Sequence, residues 1–400
     1  NIPSYLLITK RLIIMSNLRS AIAYGWRQLV ARKIYFVLML IVPLAGAYFF
    51  VDLMDEGLPL KVPSAVVDLD HSSLSRQVTR NLRAGELIEV TKLPESYTDA
   101  LDLVRKGEIF GFFLIPADFE RDAIGGREAT VTYYSNMTYF VPGTLAFKGF
   151  KTQAVTTAGG LAVAKLTALG VPSQMSGELI NPVNFDLRAP GNPWLNYNIY
   201  LTNSFVPALL ALLVALVTAY SILVEIKHGT SRRWLEASGG SMITALLGKL
   251  IPQGAIWIVV GIALQAILYR FCHFPMNCPA SHMILAMVLL VIASQWFAVI
   301  LCCAVPNLRL AVSLCSLSGI LAFSIAAFSF PVEQMYGAIG IFSYILPIRY
   351  YFLIYIDQAL NGIPLYYSRI WFMALLVFPL LGLLGLRRLA SRCLNPVYVP

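Results

Sequence analysis

The chain has 400 residues, of which 58% are hydrophobic and 13% are charged, and its formal net charge is +9. A mean hydropathy of +0.70 is far above that of a soluble domain, so the composition excludes an ordinary soluble enzyme and predicts a polytopic α-helical membrane protein. The positive charge does not indicate nucleic-acid binding, because residues 53–198 carry 13 basic and 16 acidic residues and the basic excess falls on the apolar remainder.

The first segment, residues 1–33, predicts an amphipathic helix over residues 18–33 that lies in the membrane interface. Trp26 belongs to its apolar face and Arg27 to its basic face. The pair Met15-Ser16 leaves open whether residues 1–14 are an upstream extension.

Six apolar runs without a charge are each long enough to cross a bilayer. The first run is too long for a signal peptide and lacks a small-residue cleavage site, so it predicts an uncleaved anchor. We therefore predict transmembrane helix 1 over residues 34–52, helices 2 to 6 within residues 199–387, and a tail over residues 388–400. The runs are residues 34–51, 200–224, 251–269, 283–304, 310–330 and 370–386.

Residues 53–198 separate the first two runs and alternate strand-like with helix-like patterns. This alternation predicts an inserted α/β domain with a mixed sheet, followed by a long return helix near residues 144–169 and a linker over residues 172–193. Within it, Asp68, Asp70 and His71 could form a metal or hydrolase site. The alternative is a strand end that turns into a helix capped at Ser73, and we favour it because Asp and Ser accept hydrogen bonds from free helix amides.

Residues 225–250 form a charged, glycine-punctuated elbow between the second and third runs, which indicates contact with a cytosolic protein. We expect its charges to be solvated and to lie outside the hydrocarbon, and we expect a glycine to give the backbone freedom for the turn. The candidate residues are Glu225, Lys227, Gly229, Thr230, Arg232 and Arg233.

The source of energy is predicted to be another polypeptide. No ionisable residue lies near the middle of any run, which argues against proton or sodium coupling. The segment 160–165 is the closest approach to a phosphate-binding loop, but it lacks the glycine before its lysine. We therefore expect no catalytic site, metal or cofactor in this chain, with ATP and magnesium on a partner subunit.

Cys272 and Cys278 share a short loop with His273. A disulfide between the two cysteines is favoured if the loop is in an oxidising compartment. Free thiols remain an alternative, as does a zinc site, although a fourth ligand is missing nearby.

The fifth run is rich in small polar residues, among them Ser313, Ser316 and Ser324. Such residues allow close helix packing, and a substrate path at a dimer interface is the alternative. Residues 333–367 follow this run and contain two apolar pieces flanking Pro347, which predicts re-entrant or interfacial helices.

The distribution of Lys and Arg predicts the orientation. Outside residues 53–198, fourteen basic residues fall on one side of six spans and only Arg270, Arg349 and Arg369 fall on the other. Both termini and the elbow are therefore expected in the cytoplasm, and residues 53–198 outside it.

The elbow sequence Glu225-x-x-x-Gly229-Thr230 resembles the E-K-E-R-G-T elbow of type-2 ABC exporter permeases, with Lys227-His228 in place of a Glu-Arg pair. The order of Val66–Arg76, the segment 107–121 and Asn181-Pro182 is similar to the periplasmic domain of multidrug-type permeases of this family. Segments near Phe330-Pro331 and Leu346-Pro347 extend the resemblance over nearly the whole chain.

The resemblance implies a type-2 ABC exporter permease fold with six transmembrane helices and an inserted α/β periplasmic domain. It also implies a bacterial inner-membrane location, a cytosolic ABC ATPase that contacts the elbow and the helix carrying Trp26 and Arg27, and a second permease copy or a paralogue. A periplasmic adaptor and an outer-membrane channel are further implied partners, and membrane lipids surround the complex. The expected function is export of an amphipathic, drug-like or lipid-like substrate; the alternative is a non-transporting sensor or assembly subunit whose outer domain binds a ligand or protein.

Overall fold

The computed structural model describes residues 4–55, 61–125, 127–138, 140–168, 198–326 and 332–396, together with residues 170, 172 and 196. The chain forms two compact units, one from Asn1–Gly57 with Ala189–Pro400 and the other from Leu58–Arg188. Nearly all of the predicted linker at 172–193 and the end of the fifth apolar run at 327–330 lie outside the described residues.

The helices and strands follow one another along the chain in a simple order. They are α1 (Ser4–Ala31), α2 (Lys33–Leu53), β1 (Val62–Asp68), α3 (Ser73–Arg83), β2 (Ile88–Lys92), α4 (Tyr97–Arg105), β3 (Gly111–Ile115), α5 (Phe119–Ile124), β4 (Thr132–Ser135), α6 (Phe140–Ala168), α7 (Asn198–Lys227), α8 (Ser231–Ala237), α9 (Met242–Phe271), α10 (Ala280–Ala304), α11 (Leu308–Ile325), α12 (Gly337–Ser343), α13 (Pro347–Leu360), α14 (Leu365–Leu384) and α15 (Leu386–Leu394).

Six helices in the described part of the chain are long and apolar enough to cross a membrane, namely α2, α7, α9, α10, α11 and α14. The prediction of six spans is therefore confirmed by length and composition. Helices α12 and α13 form a pair bent by 82° at the residues before Pro347, which corresponds to a broken span or a re-entrant loop. Pro347 begins α13 because a proline at the first helical position lacks only an amide that has no helical partner anyway.

The core of the larger unit lies around α7, which is the most buried of the six apolar helices. Helices α10 and α11 pack along α7, α14 packs against α10, and α1 packs along α9. By contrast, α2 and α11 are the least buried of the six, and many of their apolar side chains are exposed. Exposed apolar helix faces of this extent suit contact with lipid or with another membrane chain.

The smaller unit contains a four-stranded sheet in the order β2-β1-β3-β4. Strands β2 and β3 pair with β1 in parallel, and β4 pairs with β3 antiparallel, so the sheet is mixed. Strand β1 lies in the middle of the sheet. Most of its side chains are buried, because helices cover both faces of the sheet there.

The turn after β1 is a helix cap within this unit. Ser72, rather than the expected Ser73, is the N-cap of α3, and its hydroxyl accepts a hydrogen bond from the amide of Ser75. The carboxylate of Asp68 accepts from the hydroxyl of Ser75 at 2.7 Å, and Asp70 accepts from the amide of Glu120 at 3.0 Å. Hydrogen bonding, chiefly from Ser72, lowers the pKa of Asp70. These polar groups accept hydrogen bonds from backbone amides and from the Ser75 hydroxyl. No cluster of three metal-ligating side chains occurs among the described residues.

Candidate functional site

The elbow between α7 and α9 is shorter than the sequence predicts. Residues 225–227 continue α7, and α9 begins at Met242, so only residues 228–241 leave the two long helices. Gly229 turns the chain with φ +67°, a value that β-branched residues rarely adopt. The short helix α8 follows, and Ser241 caps α9 by accepting a hydrogen bond from the amide of Thr244.

A buried ion pair joins the two long helices beneath this elbow. The Nζ of Lys249 in α9 lies 2.7 Å from Oε1 of Glu225 in α7, and both side chains are only 1% exposed. Lys249 also donates a hydrogen bond to the carbonyl oxygen of Ser221. The expectation that Glu225 is a solvated charge is therefore wrong. Helix α7 extends beyond the apolar run of the sequence. Its residue Glu225 is therefore buried, and the positive charge of Lys249 compensates the negative charge of the carboxylate.

Three further side chains donate hydrogen bonds to the Glu225 carboxylate. Tyr24 in α1 donates its hydroxyl at 3.3 Å, Gln28 in α1 donates an amide N–H, and Thr230 donates its hydroxyl from the turn. Burial, and then the negative charge of Glu225, raise the pKa of Tyr24 to about 12, so this phenol stays protonated as a donor. A buried carboxylate is tolerated when its lone pairs are satisfied in this way.

Trp234 locks α8 onto α9. Its side chain is fully buried, and its indole N–H donates a hydrogen bond to the carbonyl oxygen of Ala245 at 3.2 Å. A short helix of seven residues is not stable by itself. The large buried area of the indole therefore holds α8 in place.

Helix α1 crosses α9 at two glycines. A Cβ on Gly25 would lie 2.2 Å from the carbonyl oxygen of Gly248, and a Cβ on Gly248 would lie 2.6 Å from the Cβ of Ala21. The two backbones are thus in direct contact, and no other residue type fits at either glycine without displacement. This close approach brings Tyr24 and Gln28 within reach of Glu225.

The C-terminal helix α15 holds α8 from another side. The hydroxyl of Ser231 donates to the carbonyl oxygen of Cys393 at 2.7 Å, and the Nε of Arg232 donates to the carbonyl oxygen of Leu394 at 2.6 Å. These donors satisfy carbonyl groups that the end of α15 leaves without helical partners. The elbow is therefore fixed by α1, α7, α9 and α15.

The predicted elbow residues fall into two groups. Glu225 and Thr230 belong to the buried network, whereas Lys227, Gly229, Arg232 and Arg233 are exposed. Trp26 and Arg27 in α1 are exposed as well. The exposed group leaves the elbow with a cationic face, while the buried group connects it to the long helices.

Four residues of this network were not predicted from the sequence: Tyr24, Gln28, Trp234 and Lys249. Tyr24 and Gln28 are four residues apart and therefore share one face of α1, which is a signal for a common polar partner. For Lys249, the available signal was its charge, which is opposite to that of Glu225 and lies across a short turn from it. Nothing in the sequence pattern distinguishes Trp234 from an interfacial tryptophan.

The serine candidates of α11 do not line the small cavity beside that helix. This cavity, of about 30 Å³, has its α11 wall at Cys315, Ser318, Gly319 and Ala322. Ser313 and Ser324 are exposed, and the hydroxyl of Ser316 donates to the carbonyl oxygen of Val312 at 3.0 Å. The role of these serines in a substrate path stays a prediction.

Cys272 and Cys278 are half-buried in the loop between α9 and α10, and both are free thiols in this structure. Burial raises the pKa of each thiol. Their pairing in a disulfide stays a prediction.

The comparisons with known proteins agree with the helical architecture. The family model described as ABC-2 family transporter protein matches residues 33–387, which include the elbow and all six apolar helices. No curated protein is significantly similar to the chain.

Proposed function

Because the chain belongs to the ABC-2 transporter family, a permease family whose members work with an ABC ATPase, we propose that it is the membrane-spanning subunit of an ATP-driven exporter. Its elbow is the docking site of the ATPase, and its substrate is amphipathic, drug-like or lipid-like. The observation that carries this proposal is the buried network of Glu225 and Lys249 beneath an exposed, cationic elbow.

The network gives a physical means of transmitting force. A push on α8 acts on Trp234, whose indole is packed on α9, and on the turn at Thr230, which is bonded to Glu225 of α7. The ion pair between Glu225 and Lys249 prevents α7 and α9 from separating at this end. Movement of the elbow therefore tilts both helices together, and α1 follows through Tyr24 and Gln28.

The remaining parts of the assembly follow from orientation and exposure. The basic asymmetry supports a cytoplasmic elbow and termini in a bacterial inner membrane, with residues 53–198 in the periplasm. The largely exposed faces of α2 and α11 offer contact surfaces for a second permease copy or a paralogue. A periplasmic adaptor and an outer-membrane channel would meet the α/β unit.

The docking experiment changes only exposed charges. The double variant Lys227→Glu/Arg233→Glu should lose most of the ATPase that co-purifies with the wild-type permease, because both side chains are exposed, Lys227 at the end of α7 and Arg233 on α8. The matched control is Lys148→Glu/Lys151→Glu on α6, which makes the same charge change in the α/β unit and should retain the ATPase. The measurements are ATPase stoichiometry after purification and ATP turnover in lipid nanodiscs.

The outcomes separate the two functional hypotheses. Loss of ATPase only in the elbow variant supports docking at α8. If the wild-type permease captures no ATPase and does not alter ATP turnover, the exporter proposal fails and the sensor or assembly function replaces it. Equal loss in the elbow variant and the control would mean that the elbow is not the docking surface.

A further inference from the structure

A large groove lies where α1 meets α2, and the exporter proposal does not use it. Its volume is about 480 Å³. Tyr35 and Met39 are nearly completely buried and form its floor together with Ile256 of α9. Trp26, Arg32 and Lys33 lie at its more exposed edge. The groove therefore combines an apolar interior with two cations.

The charge around this groove is uncompensated. The first acidic residue of the chain is Asp52, whereas six Lys and Arg residues precede it. No described carboxylate lies within ion-pair distance of Arg32 or Lys33, and Glu225 is already paired with Lys249. Arg32 uses one guanidinium nitrogen to donate to the hydroxyl of Tyr220 at 3.2 Å, which leaves its other N–H groups for a ligand.

The groove lies at the point where the chain enters the apolar helix α2. Arg32 is extended, with φ −121° and ψ 111°, and separates α1 from α2. Ile34, Leu40 and Ile41 on α2 are exposed, so the apolar surface continues from the groove along the helix. Trp26 is 50% exposed at the edge, and tryptophan is typical of the headgroup level of a bilayer.

We propose that this groove binds one anionic phospholipid from the leaflet that contains α1. The lipid phosphate pairs with Arg32 and Lys33, and one acyl chain lies over Tyr35, Met39 and Ile256. A soluble anion would not use the apolar floor, and a zwitterionic lipid would leave the two cations without net compensation. The proposal requires the membrane but not the ATPase, so it can be tested on the permease alone.

Lipid binding in this groove would also affect the buried network around Glu225. Arg32 is bonded to Tyr220 of α7, and Gln28, one turn earlier in α1, is bonded to the Glu225 carboxylate. A lipid that orders the α1–α2 junction therefore stabilises the same helix that supplies two donors to Glu225. We expect the anionic lipid to raise the unfolding midpoint of the permease by binding the folded state.

The experiment measures quenching of tryptophan fluorescence in nanodiscs by brominated phosphatidylglycerol and by brominated phosphatidylcholine. Wild-type permease should be quenched at lower mole fractions of phosphatidylglycerol than of phosphatidylcholine. Trp26→Phe should remove most of that difference, because Trp26 lies at the groove edge. Arg32→Gln/Lys33→Gln should weaken the preference for the anionic lipid by at least about tenfold.

Two control variants separate the effect of the groove from the effects of overall surface charge and of unfolding. Arg387→Gln/Arg388→Gln removes two exposed cations from α15, which contacts the same elbow helix α8 as α1 does, and should leave the lipid preference unchanged. If the double variant unfolds, Lys33→Gln alone can replace it, because it changes only an exposed side chain. This single variant should still weaken the preference for the anionic lipid.

Three results would overturn the proposal. Equal quenching by the two lipids would show that the groove does not select an anion. An equal effect in the α15 control would show that only overall surface charge matters. An unchanged preference for phosphatidylglycerol in Arg32→Gln/Lys33→Gln would show that these two cations do not bind the lipid phosphate.

Discussion

The Nζ of Lys249 lies 4.5 Å from the centroid of the Trp234 indole ring while it pairs with Glu225. A cation over an aromatic ring is attracted by the electron density of the ring face. One buried ammonium group therefore contacts both α7 and α8, so the elbow helix and the two long helices share a single electrostatic centre.

This arrangement predicts strong non-additivity between the charged partners. Lys249→Met should destabilise the permease by about 3–5 kcal/mol, because it leaves the buried Glu225 carboxylate without its counter-charge. Glu225→Gln/Lys249→Met should recover much of that loss, since no buried charge remains. The measurement is the free energy of unfolding in detergent for the single variants, the double variant and wild type.

The control for this cycle is Glu236→Ala, which removes an exposed carboxylate of α8 and should change the unfolding free energy by less than about 0.5 kcal/mol. Additive effects of Glu225→Gln and Lys249→Met would contradict a direct interaction between them.

Gly229→Val should affect coupling more than insertion. A Cβ at this position meets nothing within 4 Å, but the φ of +67° is unfavourable for valine by about 1–3 kcal/mol. We expect the variant to reach the membrane at wild-type levels and to lower ATP turnover of the complex severalfold. Gly159→Val, in an open position of α6 without a positive φ, is the control and should keep full turnover. Wild-type turnover of Gly229→Val would exclude the turn as part of the coupling element.

Gly248→Ala should loosen the contact between α1 and α9. The new methyl group would lie 2.6 Å from the Cβ of Ala21, so the helices must separate, at a cost of about 1–3 kcal/mol. Faster amide hydrogen exchange in α1 would report the separation. Gly159→Ala places a methyl group in open space and should not change exchange there. Unchanged exchange in α1 for Gly248→Ala would mean that the crossing adapts without loss of contact.

The orientation of the membrane helices can be tested by cysteine labelling. Glu236→Cys on α8 and Lys151→Cys on α6 place single thiols at exposed positions in a background without native cysteines. An impermeant reagent added to intact cells should label position 151 and not position 236. Labelling of both positions from the same side would contradict the predicted topology.

The loop disulfide can be tested by peptide mapping. If Cys272 and Cys278 face an oxidising compartment, mapping without reductant should recover a linked fragment, and reduction should release it. The buried Cys315 of α11 is the internal reference and should remain a free thiol. Recovery of Cys272 and Cys278 as free thiols, from protein purified without reductant, would favour the arrangement of the present structure.

The helices of the larger unit could be predicted because hydropathy is a local property. A run of apolar residues reports a span directly, but it ends where the first charge occurs. The charge of Glu225 therefore hid the last turn of α7, and the same effect placed the start of α9 at residue 251 instead of Met242. The positive φ of Gly229 could be predicted, because glycine adopts positive φ values in sharp turns without steric cost.

The buried network could not be predicted in the same way, since its bonds connect residues far apart in sequence. Tyr24 and Glu225 are separated by 201 residues. Periodicity placed Trp26 on the apolar face of an interfacial helix, and Trp26 is indeed exposed, but the pattern did not show that Ala21, Gly25 and Leu29 of α1 pack against the protein. Amphipathicity shows that a helix has two faces, but not which one meets protein and which one meets lipid.

The bond between Ser231 and the carbonyl of Cys393 spans 162 residues of the chain. The elbow therefore acquires its final shape only after the last membrane helix has been synthesised and α15 has folded against it. A partly made permease would present α8 held on α9 through Trp234 but without its bonds to α15. The docking surface that we propose on α8 therefore forms completely only once α15 has been made and has folded against it.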